Sequence, residues 1–118
     1  MKLTIQSTEK GSEKIEITEL DRYAIGRGNG RLCDVCLYQG QKPPILIARG
    51  QNSVSREHLE IILEKEKLIL NDTQSTNGSF LNDERFKSRT IEESGAYQLK
   101  LGNLQLELNY QKGDSPTS

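Results

Sequence analysis

Cysteine, histidine, net charge and long apolar runs are all scarce in these 118 residues, and each shortage closes off a class of function. Two cysteines fall short of the framework that staples a small secreted domain, so reduced thiols in a cytoplasmic setting are expected. With one histidine in the chain, the Cys-x-x-Cys spacing of Cys33 and Cys36 lacks the second ligand pair of a structural zinc site. It also lacks the βαβ surroundings of a redox motif. No metal or cofactor is expected, and Cys36 reads as a small buried apolar residue. Neither sign of charge dominates: 16 Lys+Arg stand against 17 Asp+Glu, for a formal net charge of -1. That balance offers no overall field to draw nucleic acid or an anionic membrane, so any anion site must be local. No apolar run approaches the roughly 20 residues needed to span a bilayer. The start, Met1-Lys2-Leu3-Thr4-Ile5-Gln6, alternates instead of forming the apolar stretch of a signal peptide. Motifs of phosphate transfer are missing as well: there is no Gly-x-x-x-x-Gly-Lys-Ser/Thr loop, no kinase signature and no motif of paired carboxylates.

What the chain does have is apolar residues at a period of two. Leu3 and Ile5, Ile15 and Ile17, Tyr23 and Ile25, Leu59, Ile61 and Leu63, Tyr97, Leu99 and Leu101, then Leu104, Leu106, Leu108 and Tyr110 each fall on one face of an extended segment. Gly102-Asn103 sits between two such runs as a two-residue hairpin turn, and Glu64-Lys65-Glu66-Lys67 separates another pair. Short strands with one apolar face each, and no helix-length periodic stretch, predict an all-β fold, an antiparallel sandwich or barrel with little helix. The length allows one domain, placed at 1–110, with the polar, Gly- and Pro-containing segment 111–118 as a flexible tail or linker. Residues 39–52, containing Gly40, Pro43-Pro44 and Gly50 around Ile45-Leu46-Ile47, read as a long loop holding an edge strand.

Three polar segments interrupt this pattern: Gly26-Arg27, Ser53-Val54-Ser55-Arg56-Glu57-His58 and Asn71-Asp72-Thr73-Gln74-Ser75-Thr76-Asn77-Gly78. Each has a plain reading by itself. Gly26 permits a turn with Arg27 in solvent, and Asn77-Gly78 is a common turn pair because both residues tolerate positive φ. Ser55, His58 and Asp72 offer the residue types of a nucleophilic triad, yet no Gly-x-Ser-x-Gly elbow accompanies them, and no catalytic residue is assigned. Their order and combination say more. A guanidinium, hydroxyls and an amide gathered from three loops make a donor set suited to an anion.

In that combination the chain resembles the forkhead-associated (FHA) domain family. Gly26-Arg27 at a strand end, the Ser-x-x-His of Ser55 to His58, and Asn77-Gly78 preceded by Ser75-Thr76 follow the family's order and separations. Cys33-Asp34-Val35, Leu70-Asn71-Asp72 and Phe80-Leu81-Asn82 match secondary features, and the resemblance extends from about Leu3 to Asn109. It implies a β-sandwich whose loops at one end bind phosphothreonine in an extended peptide of a partner protein, as a module of Ser/Thr-kinase signalling. Arg27 and Ser55 then contact the phosphate, Thr76 donates a further hydrogen bond to it, Asn77 grips the peptide backbone, and Arg56 lies near the ligand. Gly26, His58 and Gly78 are expected to support the site without touching the ligand. The expected partner is a phosphothreonine-containing protein, with the chain itself part of a larger signalling protein or a partner of one.

Residues 39–52 depart from the more compact members of the family and read as a tolerated surface loop, with Arg49 as a candidate extra contact. Phosphorylation of Thr8 or Thr117, folding back on the site, is a candidate autoinhibitory device. The alternative to phosphopeptide binding is a phosphate-independent interaction or self-association domain that uses the exposed strand edges of the sandwich.

Overall fold

The period-two alternation resolves into twelve strands in a computed structural model that describes residues 1–28 and 32–113. Residues 114–118, including Thr117 and most of the expected tail, lie outside the described residues. Two six-stranded antiparallel sheets form, with no helix among the described residues, so none is long and apolar enough to cross a membrane. The first sheet runs in the order β2 (Ile15–Ile17), β1 (Lys2–Ser7), β12 (Leu104–Gln111), β11 (Gly95–Leu101), β8 (Ser79–Leu81) and β9 (Glu84–Phe86). The second runs β10 (Ser88–Ile91), β7 (Leu68–Asp72), β6 (Leu59–Leu63), β3 (Arg22–Gly26), β4 (Val35–Tyr38) and β5 (Ile45–Ala48).

Each strand turns alternate residues inward, and the two apolar faces meet as one core. Leu3 and Ile5, Leu99 and Leu101, and Leu104, Leu106 and Leu108 come from the first sheet; Tyr23, Ile25, Leu59, Ile61, Leu63, Leu68 and Leu70 come from the second, and all are buried. Leu101 and Leu104 pair directly across Gly102-Asn103, which confirms the two-residue hairpin; Gly102 sits at φ +60. The Glu64–Lys67 turn closes with the Glu64 N–H on the Lys67 carbonyl at 2.9 Å. β12 runs through Gln111, one residue into the segment expected to be tail.

Besides β5 and β7, four strands are not among the alternating runs. β4 is one whose Val35 and Leu37 face inward; β8, β9 and β10 bury only Ser79 and Leu81, Phe86, and Ile91 respectively. The run Ile45-Leu46-Ile47 is an edge strand inside the long loop, as expected: β5 closes the second sheet and pairs with β4 across a bulge at Val35/Cys36. Cys36 is half-buried where a buried residue was expected, because its side chain falls on the outer face of β4 between the inward Val35 and Leu37.

Candidate functional site

The loops β3–β4, β5–β6 and β7–β8 and the β11–β12 turn gather at one end of the sandwich, held by backbone bonds between loops. Arg27 N–H donates to the Ser55 carbonyl and Gly28 N–H to the Arg56 carbonyl, both at 3.1 Å; Gln51 N–H meets the Cys33 carbonyl at 2.9 Å; Gly102 N–H meets the Gly78 carbonyl at 3.0 Å. Because β3 and the β5–β6 loop approach so closely, a Cβ on Gly26 would lie 2.0 Å from the Arg56 carbonyl oxygen. Gly26 is therefore required for room, whereas a turn had been expected to need it; its φ is not positive.

His58 ties these loops together. It is fully buried, its N–H bonds to the Ile25 carbonyl and its carbonyl accepts from Thr73 N–H, both at 3.0 Å. Its ring reaches two more segments: Nδ1 accepts the Ser55 backbone N–H at 2.9 Å, so Nε2 carries the hydrogen and donates to the Gly78 carbonyl at 2.8 Å. Burial pushes the imidazole pKa below its ordinary value, outweighing the Gly78 bond and the nearby Asp72, so the ring is held neutral. The triad geometry is absent: the ring meets the backbone of Ser55, not its hydroxyl, and Asp72 is engaged elsewhere.

Asp72 shapes the third loop. Its Oδ1 accepts Ser75 N–H at 2.8 Å, and its Oδ2 accepts the hydroxyls of Ser75 and Ser79, each at 2.6 Å. Burial pushes its carboxyl up, but these hydrogen bonds, with His58 beside them, hold it below the usual carboxylate range. Ser75 Oγ then accepts Gly78 N–H at 3.0 Å, closing the turn at Gly78, whose φ of +90 suits glycine. Sequence reasoning weighed Asp72 as an orienting acid and as part of the Leu70-Asn71-Asp72 match, without a role in shaping the turn. The signal was a carboxylate three residues before a serine, the Asx pattern that fixes a turn.

The exposed ends of these loops bring the expected donors together. Arg27 is half-buried, with Nε on the Val54 carbonyl and Nη1 3.8 Å from Cys33 Sγ, which leaves Nη2 and the second hydrogen of Nη1 without a partner among the described residues. Ser55 Oγ accepts the Thr76 N–H at 3.1 Å, so its own hydroxyl hydrogen is free to donate outward. Thr76 and Asn77 are exposed beside it. The Asn77 amide donates one hydrogen to the Ser53 carbonyl at 2.8 Å, keeping its oxygen and second hydrogen available. Ser53, which sequence reasoning did not assign, also braces the hairpin turn, its Oγ accepting Asn103 N–H at 2.8 Å. Arg56 is exposed and without a carboxylate partner among the described residues; it lines a groove of about 490 Å³ on the outer face of β3, β4 and β6, with Gly26, Gly28 and Thr73 at its site end. Arg49 is taken by Asp34 at 3.4 Å.

The described residues contain no cluster of three or more His, Cys, Asp or Glu placed to hold a metal ion. A family model described as FHA domain matches residues 23–102. Among curated proteins none matches significantly. Solved structures do: one from a structural and functional analysis of phosphothreonine-dependent FHA domain interactions is 21% identical at TM-score 0.70, over 94% of this chain and 98% of that one. An FHA domain from Chlamydia trachomatis is 16% identical at TM-score 0.68, over 94% of this chain and 99% of its own. EmbR of Mycobacterium tuberculosis, in complex with a low-affinity phosphopeptide, is 16% identical at TM-score 0.67, over 98% of this chain and 26% of the larger protein. At such identities the structural likeness carries the fold. The family match runs from β3 to the β11–β12 turn and holds every loop that supplies the donors; the chain belongs to the FHA domain family.

Proposed function

We propose that this domain is a phosphothreonine-dependent protein interaction module. The observation that carries the reading is the junction of the first three donors: the Ser55 carbonyl holds Arg27 N–H while Ser55 Oγ holds Thr76 N–H, so a guanidinium and two hydroxyls share one mouth. Arg27 presents a charged fork to phosphate oxygens, and Ser55 and Thr76 add hydroxyl donors. Asn77 reads the peptide main chain with the amide oxygen and hydrogen it has left, and Arg56 adds charge at the rim. His58, Gly26 and Gly78 set the loop geometry from beneath. The role is binding, without catalysis, metal or cofactor; a cytoplasmic setting keeps Cys33 and Cys36 reduced.

Four or five charge-assisted hydrogen bonds at roughly 1.5 to 3 kcal/mol each, offset by 4 kcal/mol or more for lost freedom, leave about micromolar affinity. That strength suits a ligand that a kinase makes and a phosphatase removes. Titration of a diverse set of phosphothreonine peptides is expected to give such binding, with the unphosphorylated peptides showing none. Absence of binding across the set counts against the reading.

One observation favours the phosphate-independent alternative. At the open edge of the second sheet Ile45 is 47% and Leu46 41% exposed, an apolar edge strand of the kind that pairs with another chain. The donor loops weigh more, because they account for residues that an edge contact leaves idle. Sedimentation from low to high micromolar concentration is expected to show a monomer; a concentration-dependent dimer that Leu46→Lys dissolves would shift the balance to the edge.

A further inference from the structure

Beside the 75–78 loop, away from Arg27, lies a corner of cations that the phosphothreonine site does not use. Phe80 on β8 pairs with Arg85 on β9 and with Lys100 on β11, so the three form one row on the outer face of the first sheet. The Arg85 guanidinium carbon is 5.9 Å and Lys100 Nζ 5.3 Å from the centre of the Phe80 ring. Lys87 follows at the crossing between sheets, where its carbonyl accepts Asp72 N–H at 2.8 Å. Arg85 and Lys87 line a cleft of about 490 Å³ with Asp72, Gln74, Ser75 and Phe86.

Two features make this corner a receptor for negative charge. Arg85, Lys87 and Lys100 have no carboxylate partner among the described residues, whereas Arg22, Lys42, Arg49 and Arg89 each have one. The acids nearby do not pair with it: Asp72 is consumed by Ser75 and Ser79, Glu84 is paired with Arg89 at 3.5 Å, and Asp83 and Glu107 share a cleft with Lys100 on its other side without an ion pair to it. Two cations drawn to one ring repel each other, a cost that an anion between them relieves. The corner is also continuous with the donor site, since a Cβ on Gly78 would lie 2.9 Å from Arg85 Nε. Arg85 thus packs on the same loop that presents Thr76 and Asn77.

We infer that Arg85, Lys87 and Lys100 form a second anion subsite, which takes a carboxylate or second phosphate of the phosphothreonine-bearing partner and so selects acidic flanking sequences. The inference rests on the phosphothreonine reading above. Thr76 and Gly78 are two positions apart, so at about 3.3 Å per extended residue an anionic side chain roughly two to four residues from the phosphothreonine reaches the corner. The contacts are exposed, each contributing a few-fold at most, and salt weakens them.

The test titrates three phosphothreonine peptides of equal length, with neutral flanks, with Asp/Glu two to four residues before or after the phosphothreonine, or with phosphoserine there, alongside their unphosphorylated-threonine forms. The acidic and doubly phosphorylated peptides are expected to bind about tenfold tighter than the neutral one at low salt. Lys87→Gln/Lys100→Gln is expected to erase that gain while leaving the neutral-flank peptide within about twofold. Arg85→Ala is a poorer probe, since its guanidinium packs on Gly78. Equal binding of all three phosphothreonine peptides, or a gain that survives the double substitution, overturns the subsite and leaves the phosphothreonine reading standing. A gain seen equally with unphosphorylated threonine supports the subsite and overturns phosphothreonine dependence. No binding by any peptide removes both.

Discussion

Arg27→Ala is expected to lower phosphopeptide affinity by about a hundredfold or more. Two charge-assisted bonds at roughly 1.5 to 3 kcal/mol each are lost, and each 1.4 kcal/mol is a factor of ten. The fold should survive. Arg27 is half-buried, its backbone N–H bond to Ser55 remains, and the side chain gives up only its contacts to the Val54 carbonyl and the Cys33 thiol. An unpaired Val54 carbonyl costs about 1 to 3 kcal/mol if water cannot reach it. Arg27→Lys separates charge from shape: lysine keeps the charge but cannot anchor one nitrogen on Val54 while offering a planar pair outward, so a loss of about tenfold or more is expected. Calorimetric titration of one phosphothreonine peptide against the three proteins, with thermal unfolding of each, checks both statements. If Arg27→Ala bound the peptide as the parent does, the phosphate site would lie elsewhere on the domain.

The strands that sequence made legible have two or more inward apolar residues at a period of two, a pattern that β4 shares through Val35 and Leu37 although it was not read as a strand. Leu59, Ile61 and Leu63, or Leu104 to Tyr110, announce a buried face by themselves. β9 and β10 did not, because each buries a single apolar residue, Phe86 or Ile91, and a single residue carries no period. They belong to the sandwich through pairing with β8 and β7, which is tertiary information. At the site the donor types were legible, and what held them was not. Nothing in Gly26 signals that the Arg56 carbonyl passes where a Cβ would stand. Ser53 carries no feature that distinguishes it from an idle loop serine until Asn77 and Asn103 are folded against it. The basic corner escaped for the same reason: Phe80, Arg85 and Lys100 are adjacent only across three strands.

His58→Ala is expected to damage fold and binding together. The imidazole fills a fully buried position and satisfies Ser55 N–H and the Gly78 carbonyl, two groups in different loops. Removing it orphans the Ser55 N–H, at about 1 to 3 kcal/mol, takes one of its two donors from the Gly78 carbonyl, which keeps the Gly102 N–H, and leaves a fully buried cavity besides. A loss of about 4 kcal/mol would consume much of the 5 to 15 kcal/mol that holds an ordinary domain. The folded state also binds the neutral ring. Its pKa is lowered on folding, so the stability it contributes is fully present above the unfolded value of about 6.5 and is lost as pH falls toward and through the lowered folded value. The cause is visible in the bonds: a proton on Nδ1 would face the Ser55 N–H, donor against donor. Asp72 does not obscure this window, since its carboxyl is held below the usual range and its contribution is lost only in stronger acid. Urea unfolding in the absence of peptide, repeated from pH 7.5 to 5, should show stability declining below about pH 6.5 in the parent. Phosphothreonine itself gains a proton near pH 6, so the measurement must be of folding alone. A parent whose stability is flat across that interval would mean that His58 is protonated without penalty, and the neutral bridge between Ser55 and Gly78 would have to be abandoned.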